Sequence, residues 1–169
     1  MDLRELFRTE TSPWAFLIRF AVGFVFLTEG LNKLINPAER GVGRFEGLGL
    51  PAPELFAGGV AGIEIVAGTL LIAGLFTRAA ALVLAGVALT AIVLTKLPVL
   101  LGTGFLTFGG VDASFYGLWG FLYEWRLDFA MFVGSIYLVL AGPGKGSFDE
   151  RLFGQDPVLD RVRNAVRTT

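Results

Sequence analysis

Apolar residues in this chain fall into four long runs, separated by short polar or glycine-rich stretches. A helix needs about 20 consecutive apolar residues to cross a bilayer core. The runs at about 13–35, 53–76, 78–97 and 122–142 reach or approach that length. Ser12 is placed to cap the first, Pro13 suits its first turn, and Trp14 suits the headgroup region. Only Glu64 interrupts the middle of the second run. The third, AAALVLAGVALTAIVLT, lies between Arg78 and Lys96 and is followed by Pro98. The fourth ends in DFAMFVGSIYLVLAG before Pro143, with Glu124, Arg126 and Asp128 near its start. A chain of 169 residues has no outer protein shell in which to hide four such helices. The pattern therefore predicts an all-α membrane protein, an antiparallel four-helix transmembrane bundle.

The connections differ in character. Almost nothing joins the second and third runs, so they are antiparallel neighbours. Residues 36–52 read as a Gly/Pro-rich outer loop. The stretch 97–121 is too apolar for a free loop and too rich in glycine for a spanning helix, so it reads as an interfacial or re-entrant segment. Arg4, Arg8, Arg78 and the basic tail outweigh Lys33, Arg40, Arg44, Lys96 and Arg126 on the other side. That bias places both termini in the cytoplasm of a prokaryotic cell, on the inner face of its cytoplasmic membrane. The chain then divides into a cytoplasmic N-terminus (1–12), a membrane domain (13–144) and a cytoplasmic tail (145–169). The charged N-terminus and the lack of a clean small-residue cleavage site read as an uncleaved first helix. In the tail, Ser147 and Glu150 have capping-box spacing. Residue identities show no repeat.

Three charges inside the first run then need an explanation. A charge near the middle of a spanning helix costs roughly 2.5–3.5 kcal/mol on insertion scales and persists where it faces protein or water and finds a partner. Arg19, Gly23, Phe26, Gly30 and Lys33 share one helical stripe, with Glu29 one turn before Lys33. In the second run Ala57, Ala61, Glu64 and Gly68 make a similar stripe. Asp128 and Ser135 share a face of the fourth. From the rise per residue, Lys33 lies roughly 3 Å from the outer end, Glu29 and Asp128 roughly 9 Å, Glu64 roughly 16 Å and Arg19 roughly 24 Å. The expected cluster is Arg19, Glu29, Asn32, Lys33, Glu64 and Asp128. It has an outer layer and a middle layer in which Arg19 reaches toward Glu64. Two cations face three carboxylates, which leaves one carboxylate, Glu64 or Asp128, without a counter-charge. A buried carboxyl of that kind favours its neutral form and can exchange a proton or bond a quinone carbonyl. Ion pairs that only fix helix register give the competing explanation.

Composition narrows the chemistry. The chain is 54% hydrophobic and 17% charged, against about 25% charged in soluble domains. Its net charge of −1 gives no basic field for nucleic acid. With no cysteine and no histidine, the chain has no thiolate nucleophile, no Ser-His-Asp triad and none of the usual zinc or haem ligands. Intrinsic cofactors are therefore not expected, and redox activity would need a bound quinone or a partner chain.

RFAVGFVFLTEGLNKL, GLGLPAPELFAGGVAGIEIVAGTLLIAGLFTRAAA and DFAMFVGSIYLVLAGPGKGSFDERL, in that order and spacing, resemble the DoxX family of small prokaryotic membrane proteins. The resemblance covers about residues 14–152. It implies a four-helix membrane protein related to a thiosulfate:quinone oxidoreductase subunit. It also marks Arg19, Gly30, Lys33, Glu64, Gly74 and Arg78 as recurrent positions. The expected function is a membrane subunit of an oxidoreductase system that holds a quinone-like or small amphipathic ligand in a polar intramembrane pocket. Its expected partners are the lipid bilayer and an oxidoreductase chain; a homo-oligomer is compatible with this. The alternatives are a small proton-coupled transporter or ion pathway, and a structural partner-binding protein. Whether the chain is an enzyme stays open.

Overall fold

The computed structural model describes residues 14–102 and 116–153. The expectations for 1–12, for most of 97–121 and for the end of the tail lie outside the described residues. Among those described, every regular element is helical: α1 (Ala15–Ile35), α2 (Val42–Gly47), α3 (Pro53–Ala73), α4 (Thr77–Ala91), α5 (Leu97–Leu101), α6 (Leu118–Ala141) and α7 (Phe148–Phe153). A π-helical turn, Ile92–Lys96, joins α4 to α5, so Thr77–Leu101 is one continuous helical rod. Pro98 follows directly on the π-helical turn, in the first turn of α5, and helical conformation runs on to Leu101. α6 begins at Leu118, inside the stretch that the sequence reads as interfacial. Among the described residues, three rods have the length and apolarity to cross a bilayer: Ala15–Ile35, Pro53–Ala73 and Thr77–Leu101.

We call the end of the bundle where α1 begins and α6 ends the proximal end, and the opposite end distal. Apolar side chains gain nothing by leaving lipid for protein, so helices in a membrane associate through close packing of small residues. α1 and α3 follow this rule. A Cβ at Gly68 would lie 2.7 Å from the Gly23 carbonyl oxygen, and one at Gly30 would lie 2.8 Å from the Ala61 carbonyl oxygen. The two backbones therefore touch at two levels, in antiparallel register. α4 packs chiefly on α6 and also on α3, around Val22, Phe26, Leu71, Ala81, Leu84 and Leu138. The opposite face of α1 carries Phe16, Phe20 and Phe24 as a stacked, exposed ladder.

The proximal end is closed by α7. Ser147 Oγ accepts the Glu150 N–H at 3.0 Å, and Glu150 Oε2 accepts the Gly146 N–H at 2.6 Å, one residue earlier than in the usual capping box. Asp149 caps a different helix. Its two carboxylate oxygens accept the backbone N–H groups of Phe76 (2.7 Å) and Thr77 (2.9 Å) at the start of α4. Its own N–H donates to the Gly74 carbonyl at 2.9 Å. Asp149→Ala should cost about 0.5–2 kcal/mol, the usual value of an N-cap. Chemical unfolding in detergent micelles checks this, and Asp149→Asn should retain part of the stability because its amide oxygen still accepts one N–H.

Candidate functional site

Charged side chains on the inner faces of the helices gather at two levels. At the distal level, Lys33 of α1 donates to Glu64 of α3, with Nζ 2.6 Å from Oε2. Both side chains are well buried, at 13% and 5% exposure. The stripe that carries Lys33 faces α3 because Gly23 and Gly30 bring the two backbones together. Helical side chains lean toward the N-terminus of their own helix. Lys33 therefore points inward from near the end of α1 and meets Glu64. Glu29, one turn earlier, lies 3.9 Å from the same ammonium and is more exposed.

A second ion-pair group joins the π-helical turn to α6. Lys96, the last residue of the π-helical turn, has its ammonium 3.5 Å from Glu124 and 3.6 Å from Asp128, both on α6. Glu29 and Asp128 are among the charges that act on Glu64, and Glu29 and Arg44 among those that act on Asp128. The two groups thus share one electrostatic environment. Asn32 turns away from it: its side-chain oxygen accepts from Asn36 Nδ2 at 2.6 Å.

Arg19 belongs to another level. Sequence spacing draws it toward Glu64, but the side chain leans toward the start of α1 and packs its guanidinium on Gly74, where α3 ends. Gly74 is ten residues beyond Glu64 on the same helical path, about 15 Å along the axis. Arg19 is 1% exposed, and its counter-charges are Asp149 and Glu150 in the first turn of α7. Its Nε and Nη1 make no hydrogen bond to another described residue. Nearby, Arg78 Nη1 donates to the Val139 carbonyl at 2.7 Å and the guanidinium lies against Gly142. A Cβ at Gly74 would overlap Arg19 Nη1, and its φ of +72° strains any L side chain. Gly74→Ala should cost about 2–5 kcal/mol, from about 1–2 for the left-handed backbone and about 1–3 for overpacking. Thermal unfolding in detergent measures it.

The structure therefore brings Glu29, Lys33, Glu64 and Asp128 together, and sets Arg19 and Asn32 apart from them. Glu64 and Asp128, the two candidates for an unpaired carboxylate, each have a lysine, and the excess of carboxylates falls on the more exposed Glu29 and Glu124. Lys96 and Glu124 are the participants that sequence reasoning missed. Lys96 reads as a flanking charge on an ideal helix, and the π-helical turn changes where it points. No cluster of three or more metal-ligating side chains occurs among the described residues.

Long apolar helices with ion pairs on their inward faces define an integral membrane protein, all-helical in its described residues. The chain belongs to the DoxX family, whose model matches residues 14–97. It is 45% identical over 148 residues to the uncharacterized membrane protein Rv3486 of Mycobacterium tuberculosis, an alignment that covers 88% of this chain and 86% of that protein. No solved structure matches it.

Proposed function

We propose that this DoxX-family protein is a membrane subunit of an oxidoreductase system and holds a quinone-like ligand at the distal ion-pair site. α6 serves as the fourth membrane crossing, and both termini lie in the cytoplasm. The observation that carries the reading is the Lys33–Glu64 pair facing the Lys96–Asp128 pair on the inner faces of separate helices. Buried charges in a membrane are expensive and gather where polar molecules bind or pass. The residues present fit a carbonyl ligand. An ammonium has three donor hydrogens, and Lys33 makes one short contact, so donors remain for a carbonyl oxygen. Glu64 holds the Lys33 ammonium in place. A bound quinone supplies the redox chemistry, with electrons from a partner chain, since this chain has neither cysteine nor histidine.

The test is a titration of the full chain in lipid nanodiscs with a short-tailed benzoquinone, read by tryptophan fluorescence. Trp125 stacks on Phe121 and Phe129, one residue from Glu124, and serves as the reporter. Saturable quenching that weakens about tenfold or more in Lys33→Met/Glu64→Gln supports the reading; loss of a charge-assisted hydrogen bond is of that size. Proton flux through liposomes under a pH gradient, with no quinone binding, would instead favour a transport pathway.

A further inference from the structure

The geometry points to a distal site made of two equivalent halves, built by internal repetition of one helix hairpin, that grips both ends of a ligand with two separated hydrogen-bond acceptors. This rests on the reading that the distal site binds a small amphipathic molecule.

The repeat is visible in the contacts. In the first hairpin, the second turn of α1 carries Arg19, whose guanidinium packs on Gly74, the residue that ends α3 with φ +72°. Toward the far end of α1, Lys33 pairs with Glu64 of α3. In the second hairpin, α4 starts with Arg78, whose guanidinium packs on Gly142, the residue that ends α6 with φ +83°. Toward the far end of the rod, Lys96 pairs with Asp128 of α6. The order Arg, Lys, acid, Gly is the same in both. Arg to Lys spans 14 residues in the first (19 to 33) and 18 in the second (78 to 96). Acid to Gly spans 10 (64 to 74) and 14 (128 to 142). Both limbs of the second hairpin are longer by four residues, close to one helical turn, and the π-helical turn that ends at Lys96 sets the direction in which that lysine points. Residue identities hide this because a lipid-facing helix accepts almost any apolar residue between those positions.

Both hairpins begin at the proximal end. They run in the same sense, as do parallel repeats in membrane proteins, where binding sites lie at the repeat interface. The distal ion pairs are at that interface: Asp128 is among the charges that act on Glu64, and Glu29 acts on both carboxylates. Two ammonium groups, each fixed by carboxylates of its own hairpin, therefore present donors from opposing walls. The fitting ligand class is a molecule with acceptors at opposite ends of an apolar frame, such as a para-dicarbonyl ring. A single-acceptor molecule engages one half at a time.

The experiment compares a short-tailed 1,4-benzoquinone with a cyclohexenone carrying the same tail, each titrated into the full chain in nanodiscs. Two variants each remove one pair: Lys33→Met/Glu64→Gln and Lys96→Met/Asp128→Asn. The expected result is that each weakens benzoquinone binding by a similar factor, about tenfold or more. Neither alone further weakens the cyclohexenone, which uses the remaining half. If only one pair matters, the equivalence is overturned while the ligand-binding reading stands. If wild type shows no saturable quenching by either compound, that reading fails and takes the inference with it. Should either double variant not fold by circular dichroism, Lys33→Arg and Lys96→Arg replace them. Parallel shifts in affinity are then expected, and a shift in only one overturns the equivalence.

Discussion

Lys33→Met destabilises the folded protein by about 3–5 kcal/mol, the cost of leaving one member of a buried ion pair uncompensated. Glu64 is 4% exposed and has its short contact, 2.6 Å, with Lys33, so removing the ammonium strands a carboxylate between α1 and α3. Glu29 cannot substitute, since it carries the same sign. Replacing both partners by apolar residues removes the desolvation cost together with the attraction. Lys33→Met/Glu64→Leu should therefore recover most of the loss. Unfolding by sodium dodecyl sulfate, followed by circular dichroism, gives both values. A single variant that loses less than about 1 kcal/mol would mean that Glu64 has another means of compensation.

Gly68→Leu should also destabilise the protein, by a different route. A Cβ at this position meets the Gly23 carbonyl oxygen at 2.7 Å and the Leu27 nitrogen at 2.9 Å, both backbone atoms that cannot swing aside. The helices must separate, and overpacking of this kind costs about 1–3 kcal/mol or more. The site suffers as well. Gly30 meets Ala61 and Glu64 two turns further along the same contact line, so parting α1 from α3 lengthens the Lys33–Glu64 contact. Gly68→Leu should thus reduce both stability and quinone affinity. Gly86→Leu, with no atom within 4 Å of its Cβ position, should alter neither by more than about 0.5 kcal/mol.

The long apolar rods and the stripe that joins Gly23, Gly30 and Lys33 were legible in the sequence because lipid imposes length and small residues impose contact. Vertical position was not. Spacing locates a Cα atom, while the charge of Arg or Lys sits several ångströms away, toward the start of its own helix. That displacement carries Lys33 to Glu64 and carries Arg19 away from it, onto Gly74. Lys96 escaped notice because a π-helical turn rotates the residues after it relative to an ideal helix, and IVLTK carries no mark of one. Asp149 capping a helix that starts 72 residues earlier is a tertiary contact that no local pattern encodes.

A shared distal site requires that Glu64 and Asp128, on separate helices, look into one space. The chain has no cysteine, so Glu64→Cys/Asp128→Cys introduces the only two thiols. A short bifunctional thiol reagent applied in nanodiscs should cross-link them within one chain, while Glu64→Cys paired with a cysteine at the exposed Phe20 should not be cross-linked. Failure of the first pair to cross-link, with both thiols reactive toward a monofunctional reagent, would place the two carboxylates in separate surroundings and contradict the shared site.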